Sequence, residues 1–352
     1  MIRPRHKTRV VRIGNVLIGG NNPVAIQSMA KFKTSDAIRT LKQIKELENA
    51  GCEIIRVAVK DSEDARAIKQ LKRQVRIPIV ADIHFSWKLA IESIENGADK
   101  IRLNPGNIQK EKEVKQIVSA LKTAKIPLRI GLNSGSVKGA GSKKLSMSDK
   151  LIERALSYIK RIERLKFHNL VISLKANNVM DTVEAYRKIS KLCNYPLHLG
   201  VTATGSPSKG IIKSSIALGA LLLEGIGNTI RVSLTEDPVK EVEAARCILE
   251  AVGLRRFGPD IVSCPTCGRC EVDLAKIVRE LENSLSGSTS KPIKLAVMGC
   301  VVNGPGEAME ADIGVAFGKK EGMLFKKGRA VAKVSFENCA KVLLSEMEKL
   351  NG

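Results

Sequence analysis

The chain has 352 residues, which is more than one ordinary domain needs and enough for two. Its 59 Lys and Arg residues against 36 Asp and Glu give a net charge of +23, which favours anionic partners such as nucleic acid, acidic proteins or phosphorylated small molecules. Aromatic residues make up only 3% of the chain, which argues against proteins that stack single-stranded bases on aromatic rings.

The N-terminal stretch MIRPRHKTRVVRIGNV is charged and lacks the apolar core of a signal peptide. The longest apolar stretch, residues 216–227, is too short to span a bilayer and contains Glu224. With no secretion signal and one compact cysteine cluster, we expect a cytoplasmic protein whose clustered cysteines bind metal rather than form disulfides.

Eight short β-branched runs alternate with amphipathic helical segments between residues 24 and 253. The runs are VAIQSM (24–29), IIRVAV (54–59), IPIVADI (77–83), KIRLN (100–104), PLRIGLN (127–133), LVISLKA (170–176), LHLGVTA (197–203) and TIRVSL (229–234). Eight β-α units in about 250 residues predict an α/β fold, a (β/α)₈ TIM barrel in residues 1–255. A doubly wound sheet is the alternative, but no Gly-x-Gly-x-x-Gly fingerprint follows the first run.

Residues 256–352 follow a different pattern, which predicts a second, small α/β domain. A helix is predicted over 271–285, strands over 293–298 and 311–317, and a closing helix over 336–352. This domain contains the sequence SCPTCGRC, with cysteines at positions 264, 267 and 270.

Five cations interrupt or close otherwise apolar strands of the predicted barrel. They are Arg56, Arg102, Arg129, Lys175 and Arg231. Active sites of TIM barrels lie at the carboxyl ends of the strands, and a charge buried there needs a partner. A local carboxylate could neutralise any one of them, whereas a ligand with two phosphates would satisfy all five together. The polar residues nearby are Asp82, His84, Asn104, Asn133, Ser173, Thr202 and Ser233.

Cys264, Cys267 and Cys270 are joined by Cys300 in the motif MGCVVNGPGEA. Three kinds of site fit this spacing: zinc held by four cysteines, a 4Fe–4S cluster held by the same four, or a cluster held by three cysteines and one other ligand. Gly304, Pro305 and Gly306 predict a tight turn. Glu307, which follows them, is either a surface residue or an oxygen ligand to iron.

The chain resembles the bacterial 4-hydroxy-3-methylbut-2-enyl diphosphate synthases over nearly its whole length. The motifs that carry the resemblance are KTRVVRIGNVLIGGNNPVAIQSM, IRLNPGN, LRIGLNSGS, ISLKAN, HLGVT, GIGNTIRVSLTEDP, SCPTCGR, MGCVVNGPGEA and ADIGVAFGKKEGMLFKKG. The resemblance implies a TIM barrel followed by an iron–sulfur domain similar to those of sulfite and nitrite reductases. It implies reductive ring opening of 2-C-methyl-D-erythritol 2,4-cyclodiphosphate, in which two electrons enter and one hydroxyl leaves as water.

The same resemblance implies specific roles for residues of this chain. The 4Fe–4S cluster would be held by Cys264, Cys267, Cys300 and Glu307, with Asn303 near the iron and Cys270 as a bystander. The substrate would be bound by Arg56, Arg102, Arg129, Asn133, Lys175, Thr202, Arg231 and Ser233. The family works as a homodimer in which one chain's cluster domain meets the partner's barrel, and its reductant is a flavodoxin or ferredoxin.

One departure from the family pattern concerns proton transfer. Family members commonly have glutamate after the Val-Thr pair that follows the seventh strand, and this chain has Ala203 there. A diverged iron–sulfur reductase acting on another phosphorylated substrate is therefore an alternative function. A basic metal-cluster protein that binds nucleic acid is a second alternative, against which the low aromatic content counts.

Overall fold

A computed structural model describes residues 3–137, 145–202, 205–285 and 291–351. The chain divides into two compact units, Met1–Arg255 and Arg256–Gly352. No helix within these described ranges is long and apolar enough to cross a membrane.

The first unit begins with an antiparallel hairpin of strands β1 (Val11–Ile13) and β2 (Val16–Ile18), which the sequence patterning did not predict. Each strand has only three residues, too few to show a clear alternation. Ile13 and Ile18 are fully buried and belong to one apolar cluster with residues at the starts of later strands, such as Ile54. The hairpin therefore closes the amino-terminal end of the barrel.

The barrel contains the eight predicted strands. They are β3 (Ala25–Met29), β4 (Ile54–Val59), β5 (Ile79–Ile83), β6 (Lys100–Leu103), β7 (Leu128–Asn133), β8 (Leu170–Lys175), β9 (His198–Leu199) and β10 (Thr229–Ile230). Neighbours pair in parallel in the order β8-β7-β6-β5-β4-β3-β10-β9, and a parallel bridge between Ile172 and Leu197 joins the two ends. The predicted TIM barrel is confirmed, although β9 and β10 are only two residues long.

Eight helices among the described residues surround these strands. They are α1 (Ala37–Asn49), α2 (Ser62–Lys72), α3 (Trp87–Glu95), α4 (Glu111–Ala124), α5 (Met147–Arg164), α6 (Val179–Leu192), α7 (Pro207–Leu223) and α8 (Pro238–Ala251), and a 3₁₀ turn, Ser134–Ser136, follows β7. Several begin at side chains that accept a hydrogen bond from the first turn, as Asp61 does from the Asp64 amide of α2 and Asn178 from the Asp181 amide of α6. Each such cap fixes where a strand-to-helix loop ends, and these loops surround the carboxyl end of the barrel.

In the part of the second unit that the structure describes, a five-stranded sheet packs with three helices. Its elements are β11 (Asp260–Ser263), α9 (Leu274–Leu285), β12 (Lys294–Met298), α10 (Gly304–Met309), β13 (Ile313–Phe317), β14 (Gly322–Lys326), β15 (Arg329–Val334) and α11 (Cys339–Asn351). Strands β11, β12 and β13 are parallel, and β14 and β15 continue the sheet antiparallel. Ile277 of α9 and Leu343 of α11 pack into one core with Leu295 and Val315 of the sheet.

The second unit is the small α/β domain that the sequence predicted, with more elements than expected. The predicted helices and strands all occur, while β11, β14 and β15 were missed. The prediction of a tight turn at Gly304, Pro305 and Gly306 was wrong, because these residues form the first turn of helix α10. Proline is well tolerated there, since the first amides of a helix have no partner within the helix. The expected likeness to sulfite and nitrite reductases stays a prediction.

Candidate functional site

A cavity of about 410 Å³ lies at the carboxyl end of the barrel strands. It is lined by Arg56, Asp82, His84, Arg102, Asn104, Asn107, Arg129, Asn133, Lys175, Thr202, Arg231 and Ser233. All eight side chains expected to bind an anionic substrate are therefore brought together at one place. Asn107 was missed by sequence reasoning, although its position in an Asn-Pro-Gly-Asn segment after a strand was a signal for a loop at this end.

The strand register explains why the cations converge. In the parallel ladder Asp82 of β5 is aligned with Arg102 of β6, and Arg102 with Arg129 of β7. Aligned residues of neighbouring parallel strands point to the same face, so all three side chains project into the barrel interior. Arg129 is only 2% exposed and Asp82 only 4%.

Two glycines make room for the long cationic side chains. A Cβ on Gly131 would lie 2.7 Å from Nε of Arg102, and a Cβ on Gly200 would overlap Nζ of Lys175. Both glycines thus allow a cation to lie across the neighbouring strand. Only the folded barrel reveals this function of the two residues.

Two buried carboxylates neutralise some of the cations. Arg102 donates from Nη1 to Oδ1 of Asp82 at 2.9 Å, and Nε of Arg56 lies 3.6 Å from Oδ2 of the same residue. Nη2 of Arg231 lies 3.6 Å from Oε2 of Glu241, a residue of α8 that sequence reasoning did not select. The alternative prediction, that a local carboxylate neutralises a strand cation, is therefore confirmed for Arg56, Arg102 and Arg231.

Arg129 and Lys175 lie among these pairs and have no acidic partner in the described part of the chain. No carboxylate of the described residues is within 4.0 Å of either side chain. Nε and Nη1 of Arg129 are buried and donate a hydrogen bond to no partner among the described residues. Because leaving such donors unpaired costs free energy, this part of the cavity is suited to an anion.

The pKa shifts of the lining residues reflect this excess of positive charge. Burial, followed by the charges of Arg231 and Arg129, lowers the pKa of Lys175 well below its ordinary value. Burial also lowers the pKa of Arg56, to about 9, against the attraction of Asp82. Although burial raises the pKa of Asp82, the charges of Arg56 and Arg102 outweigh it and hold that pKa at about 2. A bound anion would relieve the repulsion among the cations.

Two histidines of the barrel, His198 within β9 and His84 directly after β5, have different surroundings. His198 is fully buried, and its Nδ1 lies 2.8 Å from Oγ1 of Thr229, as expected for a packed histidine. His84 lines the cavity, and its Nδ1 is buried without a hydrogen-bond partner among the described residues. Ala203, at the position of the expected family glutamate, lies outside the described residues.

A second cavity, of about 320 Å³, lies in the second unit. Its lining includes Cys264, Cys267, Arg269, Cys300, Asn303 and Glu307. Cys264 directly follows β11 and Cys300 lies two residues after β12, and these strands are parallel neighbours. The fold thus brings together the three cysteines and the glutamate that were expected to share a cluster.

Backbone amides favour the thiolate form of two of these cysteines. The amides of Val302 and Asn303 lower the pKa of Cys300. The amide and side chain of Arg269 lower the pKa of Cys267. Thiolates are the form that binds metal, so this environment is suited to a metal centre.

Cys270 does not line the second cavity. Its Sγ lies 3.2 Å from the carbonyl oxygen of Val272, and the side chain packs against the apolar core of the unit. A Cβ on Gly299 would overlap Sγ of Cys270 and would lie 3.6 Å from Sγ of Cys264. The absence of a side chain at position 299 thus leaves room for both sulfur atoms.

The donor set around the second cavity consists of thiols and a carboxylate, which are groups that bind metal. Four thiolates around zinc lie within about 4 Å of one another, because Zn–S bonds are about 2.3 Å long. Among the residues that the structure describes, no three His, Cys, Asp or Glu side chains are grouped to hold one metal ion. Three cysteines and a carboxylate dispersed around a cavity are compatible with a larger iron–sulfur group.

Family models match both units of the chain. The model described as GcpE TIM-barrel domain matches residues 8–246, and that described as GcpE protein C-terminal domain matches residues 260–349. The chain belongs to the GcpE family. This GcpE-family chain is 52% identical to the 4-hydroxy-3-methylbut-2-en-1-yl diphosphate synthase (flavodoxin) of Caldanaerobacter subterraneus subsp. tengcongensis, with 99% of each chain covered. It is 51% identical to the protein of the same name from Clostridium perfringens, over 98% of this chain and 99% of the relative.

Solved structures similar to the GcpE-family chain match its barrel. Dihydropteroate synthase from Stenotrophomonas maltophilia has a TM-score of 0.55 at 14% identity, covering 70% of this chain and 100% of that one. A phospho-2-dehydro-3-deoxyheptonate aldolase from Thermotoga maritima has a TM-score of 0.52 at 14% identity, covering 71% of this chain and 76% of that one. At such low identity these similarities show the shared fold alone.

Proposed function

We propose that this chain is a 4-hydroxy-3-methylbut-2-en-1-yl diphosphate synthase, the activity named for its relatives. The reaction is the reductive ring opening of 2-C-methyl-D-erythritol 2,4-cyclodiphosphate in isoprenoid biosynthesis. One structural observation carries the proposal: four buried cations and the partly buried Arg231 line a single cavity together with one carboxylate, Asp82. A cyclic diphosphate supplies the negative charge that this cavity lacks.

The barrel residues bind and orient the substrate. Arg129 and Lys175, which have no acidic partner among the described residues, take the phosphate oxygens directly. Arg56, Arg102 and Arg231 keep their carboxylate partners and add charge around the diphosphate. Asn133, Thr202 and Ser233 donate hydrogen bonds from the same lining. Guanidinium groups suit this task because their paired donors match phosphate geometry.

The second cavity holds the redox cofactor in this proposal. Cys264, Cys267 and Cys300 would hold a 4Fe–4S cluster through their thiolates, and Glu307 would be the fourth ligand. When bound, such a cluster supplies electrons one at a time and an iron that can act as a Lewis acid. Glu307 is exposed on α10, so its carboxylate has room to leave the site. Asn303, at the start of that helix, accepts a hydrogen bond from the Glu307 amide through its carbonyl oxygen at 3.3 Å and lines the same cavity, so its side-chain amide would donate to a group bound there.

A flavodoxin is the proposed electron donor, with ferredoxin as the alternative. The relatives carry "flavodoxin" in their names. These electron carriers are acidic, and the net charge of +23 on this chain favours an encounter with an acidic protein. Such a partner also favours the cytoplasm as the place of the reaction.

The proposed assembly is a homodimer in which each active site combines one subunit's barrel with its partner's cluster domain. Helix α7 supports self-association, because Ile212 and Ile216 on its surface are 59% and 56% exposed. Apolar side chains clustered on a helix surface are typical of a protein interface. Sedimentation velocity at several protein concentrations measures this state directly.

Anaerobic turnover tests the proposed function. Protein reconstituted with iron and sulfide is incubated with the cyclic diphosphate and a strong chemical reductant, and the product is identified by mass. We expect 4-hydroxy-3-methylbut-2-enyl diphosphate from the reconstituted protein and none from a sample without iron. Fully reconstituted protein that yields no product would favour a diverged reductase. Tight, strongly salt-dependent binding to DNA or RNA would instead favour the nucleic-acid alternative.

A further inference from the structure

The proposed reaction requires one proton within the substrate cavity. The ring C–O bond breaks and its oxygen remains on the diphosphate, while a neighbouring hydroxyl leaves and a carbon–carbon double bond forms. Two electrons from the external reductant and one proton balance this change when the hydroxyl leaves as water. Because hydroxide is a poor leaving group, an acid that donates this proton lowers the barrier.

Most side chains that line the cavity are unsuited to donate that proton. Asp82 stays ionised, because two arginines bind its oxygens and hold its pKa at about 2. Burial lowers the pKa of Arg56 to about 9, yet a guanidinium that pairs with a carboxylate or phosphate stays charged at neutral pH and is a weaker acid than imidazolium. The amides of Asn104, Asn107 and Asn133 and the hydroxyls of Thr202 and Ser233 are much weaker acids than a carboxylic acid or an imidazolium. The sequence has no acid at position 203.

Lys175 is the remaining cation that could release a proton. Among the described residues it has no acidic partner, and it is the side chain best placed to pair with phosphate. An ammonium group that holds a phosphate is stabilised in its charged form, which makes it a weaker acid. Lys175 is therefore assigned to binding.

His84 has the position and the chemistry that a proton donor needs. It follows directly after β5, at the carboxyl end of the barrel, and it lines the cavity. Asn107 donates from Nδ2 to the carbonyl oxygen of His84 at 2.7 Å, which fixes the backbone of this loop. Nδ1 of the ring is buried and has no protein partner among the described residues. Imidazole is the side chain that exchanges protons most readily near neutral pH.

We infer that His84 is the general acid that protonates the departing hydroxyl of the cyclic diphosphate. This inference rests on the proposed function. In the reaction the imidazolium becomes neutral imidazole, and solvent returns the proton before the next turnover.

Charged groups from several barrel strands surround the cavity that His84 lines. They are Arg56 on β4, Asp82 on β5, Arg102 on β6, Arg129 on β7, Lys175 on β8 and Arg231 after β10. The negative charge of the bound diphosphate offsets this excess of cations. A general acid acts only in its protonated form, so kcat is expected to decline at alkaline pH.

The substitution His84→Gln tests the assignment, because glutamine can donate a hydrogen bond but cannot transfer a proton at neutral pH. We expect kcat to fall by about 100-fold or more, with KM changed by less than about threefold. The decline of kcat at alkaline pH should disappear in this variant. The matched control is His168→Gln, because Nδ1 of His168 lies 3.3 Å from the Tyr195 hydroxyl and the residue does not line the cavity. Its kinetics should equal those of the native protein.

A second readout requires no turnover. The chain has four histidines, so that ¹³C-labelled imidazole resonances can be assigned by substitution. In protein without iron, addition of the cyclic diphosphate should shift the His84 resonance toward that of imidazolium. Calorimetry on the same samples should show that His84→Gln still binds the substrate, which establishes that the variant is folded.

The outcomes separate this inference from the proposed function. Native protein that fails to turn over the substrate overturns both. Active native protein with a His84→Gln variant that retains kcat within about threefold overturns the role of His84 alone. A His84 imidazole that stays neutral in the complex throughout the neutral pH range also overturns it.

Discussion

Arg102 and Asp82 form a buried ion pair at the carboxyl end of the barrel, with 2.9 Å between Nη1 and Oδ1. Nη2 of Arg102 also donates to the carbonyl oxygen of Gly131 at 2.9 Å. Two of the guanidinium nitrogens are thus held by the protein, and the cavity keeps its shape before any ligand binds. Pre-formed sites of this kind lose less conformational entropy when they bind a substrate.

Removal of the carboxylate should destabilise the protein. Asp82→Asn leaves Arg102 and Arg56 buried without their anionic partner, which typically costs about 3–5 kcal/mol. Urea unfolding at neutral pH measures this loss. Glu153→Gln, which removes an exposed carboxylate of α5, is the control and should have little effect. Equal stability of Asp82→Asn and native protein would contradict the importance of this pair.

Acidic pH should remove the stabilisation that the Asp82 ion pairs provide. The pKa of Asp82 is about 2 in the folded protein, below its ordinary value of 3.8. A lowered folded-state pKa means that the stabilisation is fully present above the unfolded value and is lost as pH falls through the folded value. The free energy of unfolding should therefore fall between about pH 4 and pH 2, more steeply in native protein than in Asp82→Asn. If the free energy of unfolding depended on pH in the same way for native protein and Asp82→Asn, this prediction would be contradicted.

Arg129 should contribute to binding and not to stability of the free protein. Arg129→Met removes a buried guanidinium whose Nε and Nη1 donors have no partner among the described residues. The methionine side chain that replaces it has a similar length. We expect the affinity for the cyclic diphosphate to fall by about 10- to 100-fold, the equivalent of one or two charge-assisted hydrogen bonds. The unfolding free energy should be unchanged or higher. Calorimetry measures the affinity and urea unfolding measures the stability of the same preparation. Arg73→Met is the control, because it removes one positive charge from an exposed position.

Gly200 should be needed for the position of Lys175. In Gly200→Ala the new Cβ would overlap Nζ of Lys175 and lie 2.8 Å from the carbonyl oxygen of Arg231, so that two cavity residues must move. We expect substrate affinity to fall by at least about tenfold. Gly219→Ala on α7 is the matched control, because its Cβ would have only one neighbour, at 3.9 Å. This control should bind normally and gain up to about 1 kcal/mol in stability. Normal substrate binding by Gly200→Ala would contradict the packing argument.

The cysteines should differ in their importance for the cluster. Cys300→Ser removes a ligand that lines the second cavity, whereas Cys270→Ser changes a side chain packed against the core. We expect reconstituted Cys300→Ser to lack iron and sulfide and Cys270→Ser to retain both. Metal analysis and the visible absorption spectrum measure the difference. An intact cluster in Cys300→Ser, or its loss in Cys270→Ser, would reverse the assignment of these two residues.

The sequence was sufficient to predict the barrel and the identities of its cations. Alternating helical and β-branched runs are a local signal, and a charge such as Arg129 within an apolar strand is visible without a structure. The spacing of Cys264 and Cys267 likewise indicated a metal site. Elements that are short or depend on their neighbours were missed, as the hairpin β1–β2 and the helical turn at Pro305 show.

Tertiary structure decided which charges are neutralised and which remain free for a ligand. Arg102 and Arg129 look alike in the sequence, yet only Arg102 has a carboxylate partner among the described residues. Glu241 lies ten residues after Arg231 and reaches it because α8 folds back onto the barrel. The sequence determined the number and sign of the charges, since these are properties of single residues. Their pairing depends on distances between strands and helices, which exist only once the barrel has closed.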